Sequence, residues 1–375
     1  MNDPRLLKLA DVIVQHCTSV QPGDLVRISG SPLTEPLLSL LYKKVLEAGG
    51  HPMVSMAPEN CAELLLAHGT DDQIRYENPV AQFETETIDV AISLWGQQNS
   101  KALTAIAPEK QGLRSQARKK LLGTFLDRAA SKELRWCGTQ FPCHSSAQDA
   151  EMSLADYQDF VFRGGLLHLE DPAAAWQQIS VRQQRLVDYL TGTKEIHFVT
   201  PQGTDLRLDV TDRTWINCDG RENFPDGEVF TGPVETGTEG TVSYSFPAVH
   251  GGREVEDIQL VFEAGKVVQA SASKGEAFLH SMLDQDPGAR ILGEIAIGTN
   301  YAITQYTKNT LFDEKIGGTF HAALGAAYPE SGGTNESALH WDMVCDLRNG
   351  GQIFVDGKLI SENGRFLDAD WPHPS

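Results

Sequence analysis

The sequence predicts an α/β N-terminal domain over residues 1–191 and an α+β, largely antiparallel C-terminal domain over residues 192–375. Three observations lead to this fold class. The first half alternates amphipathic helical segments with short apolar strands, which is typical of a parallel sheet covered by helices. The second half is rich in strands joined by short turns. A long helical segment, "DPAAAWQQISVRQQRLVDYLTGT", connects the two halves.

The N-terminal elements follow from apolar spacing and from helix-end residues. "DPRLLKLADVIVQHC" has the apolar spacing of an amphipathic helix. In "TEPLLSLLYKKVLEAGG", Thr34 is a suitable N-cap and Gly49 a suitable C-terminal residue of a second helix. Further helices are expected in "CAELLLAHG" and over most of 97–130. The expected strands are "GDLVRISG", "HPMVSMA", "IDVAISLWG" and "LRWCGTQFP".

The C-terminal strands are indicated by turn signals. "KEIHFVTPQGTDLRLDV" reads as two strands joined at "PQGT". "IQLVFEAGKVVQASA" predicts a hairpin that turns at residues 263–266, and "GQIFVDGKLISENG" predicts another with an Asp-Gly turn. We therefore expect the sheet of this half to be mainly antiparallel.

Charge and composition exclude several classes of function. The net charge of −20 leaves no basic surplus for phosphate backbones, so we expect no nucleic-acid partner. No apolar run has the roughly 20 residues that a membrane-spanning helix needs, so we expect no membrane partner. The N-terminus lacks the pattern of a signal peptide, and six scattered cysteines without a CxxC pair indicate free thiols. We expect a cytoplasmic protein.

The stretch "HAALGAAY", residues 321–328, raises the question of a site. We predict it as a helix, in which positions seven apart share one face. His321 and Tyr328 would then line one side of a pocket, and the small residues between them would let another element approach. Alone this observation is weak, because a histidine among alanines is more often part of a core.

A second histidine follows in "SALHWDMVCDL", which has the pattern of a strand. Residues two apart on a strand face the same side, so His340 and Asp342 would project together. Taken alone, this pair is interpreted as an ordinary hydrogen-bonded pair. Glu228 enters an apolar strand from a turn-rich loop, and Glu294 lies inside "ILGEIAIG". Glutamate is rarely buried unless it is paired or ligates a metal.

Together these segments resemble the metallo-aminopeptidases of the aminopeptidase T and aminopeptidase S family, the thermophilic-type metalloproteases. The similarity extends to "INCDGRENFPDGEVFTGPVE" and "VQPGDLVRISG", and it covers nearly the whole chain. Six positions in matching order carry it: Glu228 in "PDGEVFTGPVE", Glu294 in "ILGEIA", His321 and Tyr328 in "FHAALGAAY", and His340 and Asp342 in "HWD".

The resemblance implies an exopeptidase that removes the N-terminal residue from short peptides with a free N-terminus. It implies two divalent metal ions per chain, zinc, cobalt or manganese, held by the C-terminal domain, and a homodimeric assembly. Tyr328 would be a weak ligand or would hydrogen-bond the reacting centre. The implied metal ligands are Glu228, Glu294, His321, His340 and Asp342.

Two metals supply a nucleophile at neutral pH and stabilise the oxyanion in amide hydrolysis. Glu294 is our candidate for the catalytic carboxylate that bridges them, because a strand holds it rigidly. The general base stays open among Asp226, Glu235 and Glu239, which lie near Glu228 in sequence.

Two other functions remain as hypotheses. His321, His340 and Asp342 alone form the two-histidine, one-carboxylate set of iron(II) oxygenases. A single-metal, ring-cleaving dioxygenase on the same scaffold is therefore one alternative, although Glu228 and Glu294 provide for a second metal that it does not need. The other is a non-enzymatic protein whose α/β half binds a small molecule, with metals that only stabilise the dimer.

Overall fold

The computed structural model describes residues 3–374. The chain divides into two compact units, and each is described by itself. The first contains the residues up to Ala173 together with Gly220–Pro225, and the second contains Ala174–Asp219 and the residues from Asp226 onward. Most of the helix predicted between the halves thus belongs to the second unit. The domain boundary at residue 192 stays a prediction.

The helices and strands alternate up to residue 140, and strands dominate after residue 194. A π-helical turn, Ile13–Cys17, extends the first helix. The α-helices are α1 Pro4–Val12, α2 Glu35–Glu47, α3 Asn60–His68, α4 Asp71–Ile74, α5 Pro79–Thr87, α6 Pro108–Ala130, α7 His144–Asp149, α8 Leu154–Gly164, α9 Pro172–Leu190, α10 Glu276–Leu283 and α11 Thr310–Asp313. The first ten strands are β1 Leu25–Gly30, β2 His51–Met56, β3 Val90–Trp95, β4 Arg135–Gln140, β5 Glu195–Val199, β6 Asp205–Asp209, β7 Ile216–Cys218, β8 Asn223–Phe224, β9 Glu228–Thr231 and β10 Thr238–Ser243. The others are β11 Ala248–His250, β12 Arg253–Val255, β13 Gln259–Glu263, β14 Lys266–Ser271, β15 Leu292–Gly298, β16 Thr319–Gly325, β17 His340–Asp346, β18 Gln352–Val355, β19 Lys358–Glu362 and β20 Arg365–Phe366.

The first unit contains a five-stranded parallel sheet in the order β2-β1-β3-β4-β8. Its central strands are apolar because both faces are covered: Val26, Ile28, Val90 and Ile92 are all fully buried. Helix α2 has Thr34 at its N-cap and ends before Gly49, whose φ of +85° favours glycine. The predicted α/β fold of this half is confirmed.

The second unit contains an eight-stranded sheet, β14-β13-β10-β6-β5-β18-β19-β20, and a five-stranded sheet, β17-β16-β15-β9-β7. All pairings within both sheets are antiparallel. The two predicted hairpins turn at residues 264–265 and 356–357, whose positive φ angles match the twist of the flanking strands. The rings of Phe198 in β5 and Phe320 in β16 stack with centroids 4.1 Å apart in the core of this unit. The predicted antiparallel fold is confirmed.

The helix predicted for "HAALGAAY" is wrong. His321–Gly325 belong to strand β16, which is paired on both sides, with β15 and with β17. Every residue of β16 is buried, so pairing and packing decide its conformation against the helical propensity of alanine. Tyr328 lies after the strand, at the start of a short 3₁₀ turn, Pro329–Ser331. The argument that placed His321 and Tyr328 on one helical face therefore fails.

No helix among residues 3–374 combines the length and the apolar character needed to cross a bilayer.

Candidate metal centre

Four side chains with metal-ligating atoms lie on one face of the five-stranded antiparallel sheet. Glu294 in β15 pairs with Ala323 in β16, which pairs with Asp342 in β17. His321 lies two residues before Ala323, and His340 lies two residues before Asp342. Because strand side chains alternate with a period of two, all four point to the same side. The small methyl group of Ala323 leaves the space between the two carboxylates open.

The ligand atoms of the four side chains lie 3.3–3.9 Å from one another across the group. The Nε2 atom of His321 lies 3.3 Å from Oε1 of Glu294 and 3.9 Å from Oδ1 of Asp342. The Nε2 atom of His340 lies 3.4 Å from Oε2 of Glu294 and 3.4 Å from Oδ1 of Asp342. Each oxygen of Glu294 thus faces a different histidine. We refer to Glu294, His321, His340 and Asp342 as the four-donor group.

Backbone carbonyls orient both imidazole rings. The Nδ1 atom of His321 lies 3.1 Å from the carbonyl oxygen of Glu314, and that of His340 lies 2.9 Å from the carbonyl oxygen of Ala326. An Nδ1–H that donates to a carbonyl leaves the Nε2 position for a cation. Both Nε2 atoms therefore face the carboxylates in the orientation that metal ligation requires.

The electrostatics of the group favour positive charge. Burial opposes the imidazolium form of both histidines, but hydrogen bonds and charges from Glu294 and Asp342 outweigh it. They raise the pKa of His321 to about 10 and that of His340 to about 11. Burial acts to raise the pKa of Asp342, yet the hydrogen bond from His340 brings it to about 2. A divalent cation between these side chains would replace the two imidazolium protons.

Glu228, the first residue of β9, lies next to this group and is bound by a lysine. Its Oε1 accepts a hydrogen bond of 2.5 Å from Nζ of Lys315. Its Oε2 lies 3.8 Å from Nδ1 of His321 and has no hydrogen-bond partner among the described residues. Such a buried, unpartnered carboxylate oxygen is available to a cation.

Lys315 is only 2% exposed and contacts two further carboxylates. Its Nζ lies 2.7 Å from Oε1 of Glu314 and 3.6 Å from Oδ1 of Asp226. Burial disfavours the ammonium, but Glu228, Glu314 and Asp226 raise its pKa above the usual lysine range. Burial also raises the pKa of Glu228, while the ammonium acts against that rise. We describe the pair as ionised, because a contact of 2.5 Å stabilises both charges.

The ligand atoms form three clusters, two of which share Asp342. In each cluster they all lie within 4.8 Å of one another, which is close enough for one ion. One cluster comes from the four-donor group, one connects it with Glu314, and one contains Glu228. The clusters are Glu294, His340 and Asp342; Glu314, His321 and Asp342; and Cys218, Asp226 and Glu228.

Tyr328 borders the four-donor group. Its ring lies edge-on to His340, with centroids 5.1 Å apart, and edge-on to Phe230 at 5.5 Å. Burial of the phenol and the nearby carboxylates raise its pKa well above the usual tyrosine range, so the hydroxyl stays protonated. Although 41% of the residue is exposed, the ring is fixed by these two contacts.

The three candidates for a general base differ in position. Glu235 accepts hydrogen bonds from Arg213 and from Thr334, and Glu239 accepts one from the backbone of Ala264. These two carboxylates are engaged in other parts of the unit. Asp226 alone contacts Lys315 and thereby the group around Glu228.

The structure thus brings all six predicted site residues together, and it adds Glu314 and Lys315, which sequence reasoning missed. Both follow helix α11 directly, in "LFDEKIGG". A Glu-Lys pair at the end of a helix is ordinarily solvated, so the local pattern gives no signal of burial. Their role becomes visible only when the carboxylates of Glu228 and Asp226 are placed beside them.

A family model described as thermophilic metalloprotease (M29) matches residues 2–366. The chain belongs to this metalloprotease family. Its similar sequences include aminopeptidase T from Thermus thermophilus, 32% identical over 94% of each chain. Aminopeptidase 2 from Geobacillus stearothermophilus is 26% identical over 98% of each chain.

Solved structures agree with the M29 assignment. Wild-type AmpT from Thermus thermophilus matches with a TM-score of 0.85 and 25% identity, over 97% of this chain and 99% of that one. A 2,5-dihydroxypyridine dioxygenase from Pseudomonas putida matches with a TM-score of 0.60 and 14% identity, over 97% and 98% of the two chains. The second likeness concerns the fold alone.

The residues present fit a divalent metal of an M29 enzyme. The four-donor group offers two imidazole nitrogens and two carboxylates, a set that suits divalent transition metals. The Nδ1 contacts of the two histidines, and the position of all four residues on paired strands, hold the donors in place. Around Glu228 the donors are present as well, but an ammonium group already lies among them.

Proposed function

We propose that this M29 chain is a metal-dependent aminopeptidase that hydrolyses the first peptide bond of short peptides. The single observation that carries the proposal is the four-donor group, in a chain whose relatives are named aminopeptidases. Glu294, His321, His340 and Asp342 would hold divalent metal. A bound ion lowers the pKa of water and polarises the scissile carbonyl.

The residues of the chain have distinct parts in this proposal. The backbone carbonyls of Glu314 and Ala326 hold the two imidazoles in register, so that the donors need no rearrangement. Glu294 has one oxygen toward each histidine, which suits the bridging carboxylate that we predict for it. Tyr328 keeps its hydroxyl proton and can donate a hydrogen bond to the reacting centre.

Selection for a free N-terminus follows from its amine in this proposal. The carboxylates of the four-donor group would be neutralised by the metal that they hold, and the metal would offer a position to the neutral amine of a peptide N-terminus. The net charge of −20 of the whole chain also favours the approach of cationic peptides. An N-acetylated peptide lacks a basic amine and should be a poor substrate.

The finer predictions belong to the same proposal. They are two divalent ions per chain with Glu228 as a further ligand, zinc, cobalt or manganese as the metal, a homodimer, and a cytoplasmic enzyme. The dioxygenase alternative is less supported, because its structural likeness at 14% identity concerns the fold alone. The binding-protein alternative differs in that a structural metal leaves no coordination position for a substrate.

The proposal is tested by removing and restoring the metal. The full chain is stripped with a chelator and supplied with zinc, cobalt or manganese, and release of the first residue is measured with aminoacyl-nitroanilides. We expect activity to disappear on chelation and to return with metal. Oxygen uptake with iron(II) and a dihydroxypyridine, without any hydrolysis, would instead establish the dioxygenase. Inactivity in both assays would leave the binding protein.

A further inference from the structure

The buried ammonium of Lys315 lies beside the place where a second ion would bind through Glu228. It lies 2.5 Å from Glu228, 2.7 Å from Glu314 and 3.6 Å from Asp226, measured to one carboxylate oxygen of each. Only 2% of its side chain is exposed, so the lysine has little contact with water. The carboxylates that a second ion would need are thus already neutralised in part.

The two oxygens of Glu228 are used differently. Oε1 binds the ammonium, whereas Oε2 has no hydrogen-bond partner among the described residues and lies 3.8 Å from Nδ1 of His321. A divalent ion bound through Glu228 would lie within a few ångströms of the Lys315 ammonium. Like charges at such a distance in a buried site repel strongly, so the ammonium weakens the binding of the ion.

The cluster of Glu294, His340 and Asp342 has no such neighbour among the described residues. Lys315 makes its ion pairs with Glu228, Glu314 and Asp226. The ion pairs that the structure shows for Glu294, His340 and Asp342 involve histidines and no lysine. An ion that enters there has no ammonium in contact with its carboxylate ligands.

We propose that Lys315 is a built-in cation beside the second metal position and makes ion binding sequential and unequal. The first ion binds tightly to Glu294, His340 and Asp342, whose ligand atoms all lie within 4.8 Å of one another. The second binds through the free Oε2 of Glu228, next to the ammonium on Oε1, and repulsion between the two positive charges makes it much weaker. This inference rests on the proposed function only in that the four-donor group binds a metal, and it does not depend on peptide hydrolysis.

The test counts bound ions on the full, metal-stripped chain. Zinc and cobalt(II) are titrated by equilibrium dialysis with elemental analysis, and the absorbance of cobalt(II) reports each site as it fills. For the wild type we expect one tight ion and a second that is weaker by at least about tenfold. For Lys315→Met, the second ion should tighten by at least about tenfold, while the first is unchanged.

Companion variants separate charge from side-chain size and from misfolding. Lys315→Arg retains the charge and should keep the second ion weak, whereas Lys315→Gln, which keeps a donor to Glu228, should tighten it. The matched control is Lys274→Met, because Lys274 is exposed and pairs with Glu256 at the surface. It should change neither affinity.

Two equal, tight ions in the wild type would overturn the proposal. So would Lys315→Met and Lys315→Gln variants, both folded by circular dichroism, whose second ion binds as weakly as in the wild type. A wild type that binds no ion would overturn both this inference and the metal centre. Sequential binding without any peptidase activity would overturn the proposed function and leave this inference standing.

Discussion

Loading of the four-donor group with metal is expected to release about two protons per chain near pH 7, one from each histidine. In the metal-free chain the pKa of His321 is about 10 and that of His340 about 11, so both rings are imidazolium at that pH. Ligation through Nε2 requires the neutral ring, and each histidine must lose one proton. Asp342 is already ionised, since its pKa is about 2, and contributes none.

The sign of the pH dependence follows from this count. Because the free protein holds protons that the metal complex does not, metal affinity rises with pH. Between about pH 6 and pH 9, the logarithm of the overall apparent constant for loading the group should rise by about two per pH unit.

Isothermal titration calorimetry measures the proton count directly. The wild type is titrated with zinc in buffers of different ionisation enthalpy, and the dependence of the observed heat on that enthalpy gives the number of protons. The matched variant His340→Gln lacks one imidazolium and should release one proton fewer. A wild-type release near zero, or equal release from both proteins, would refute the charge assignment on which the metal centre is argued.

Three further predictions concern activity and stability. His340→Ala should abolish activity and weaken the affinity for the first ion. The loss of a ligand's hydrogen-bond partner costs about 10–100-fold in metal affinity, and the loss of the ligand itself should cost more. Unaltered zinc binding in equilibrium dialysis would contradict the ligand role. Phe320→Ala removes the stacking on Phe198 and should lower the free energy of unfolding by about 3–5 kcal/mol in urea titrations. A loss of less than about 1 kcal/mol would be incompatible with this packing. Folding raises the pKa of His321 and His340 and so stabilises the metal-free chain. The stabilisation is complete at a pH below 6.5, the pKa in the unfolded chain, and it is lost as the pH rises through about 10 and 11. The thermal midpoint of the metal-free chain should therefore fall on going from pH 6 to about pH 9, more steeply than for His340→Gln.

The architecture was largely predictable because it depends on local signals. Apolar strands such as Val90–Trp95 alternate with helices, and the Asp356–Gly357 turn determines its hairpin through two positive φ angles. Glu294 could be singled out as a buried glutamate in an apolar strand, and its strand is buried at every position. These predictions need only the few residues around each element.

The failures concern residues whose state is determined by distant partners. Strand pairing on both sides overrides the helix predicted at His321, and the partner strands lie outside any short stretch of sequence around it. That correction also explains the alanines, because Ala323 separates the carboxylates of Glu294 and Asp342 across the sheet. Lys315 could not be predicted, since its three carboxylates come from residues 226, 228 and 314 and meet only in the fold.

The central claim is most directly tested by the products of peptide cleavage. A short peptide with a free N-terminus and its N-acetylated twin are incubated with the metal-restored protein, and products are followed by mass spectrometry. The account predicts stepwise loss of residues from the free N-terminus, and no cleavage of the acetylated peptide or by metal-stripped protein. Cleavage of both peptides at internal bonds, or no cleavage with any of the three metals, would contradict it.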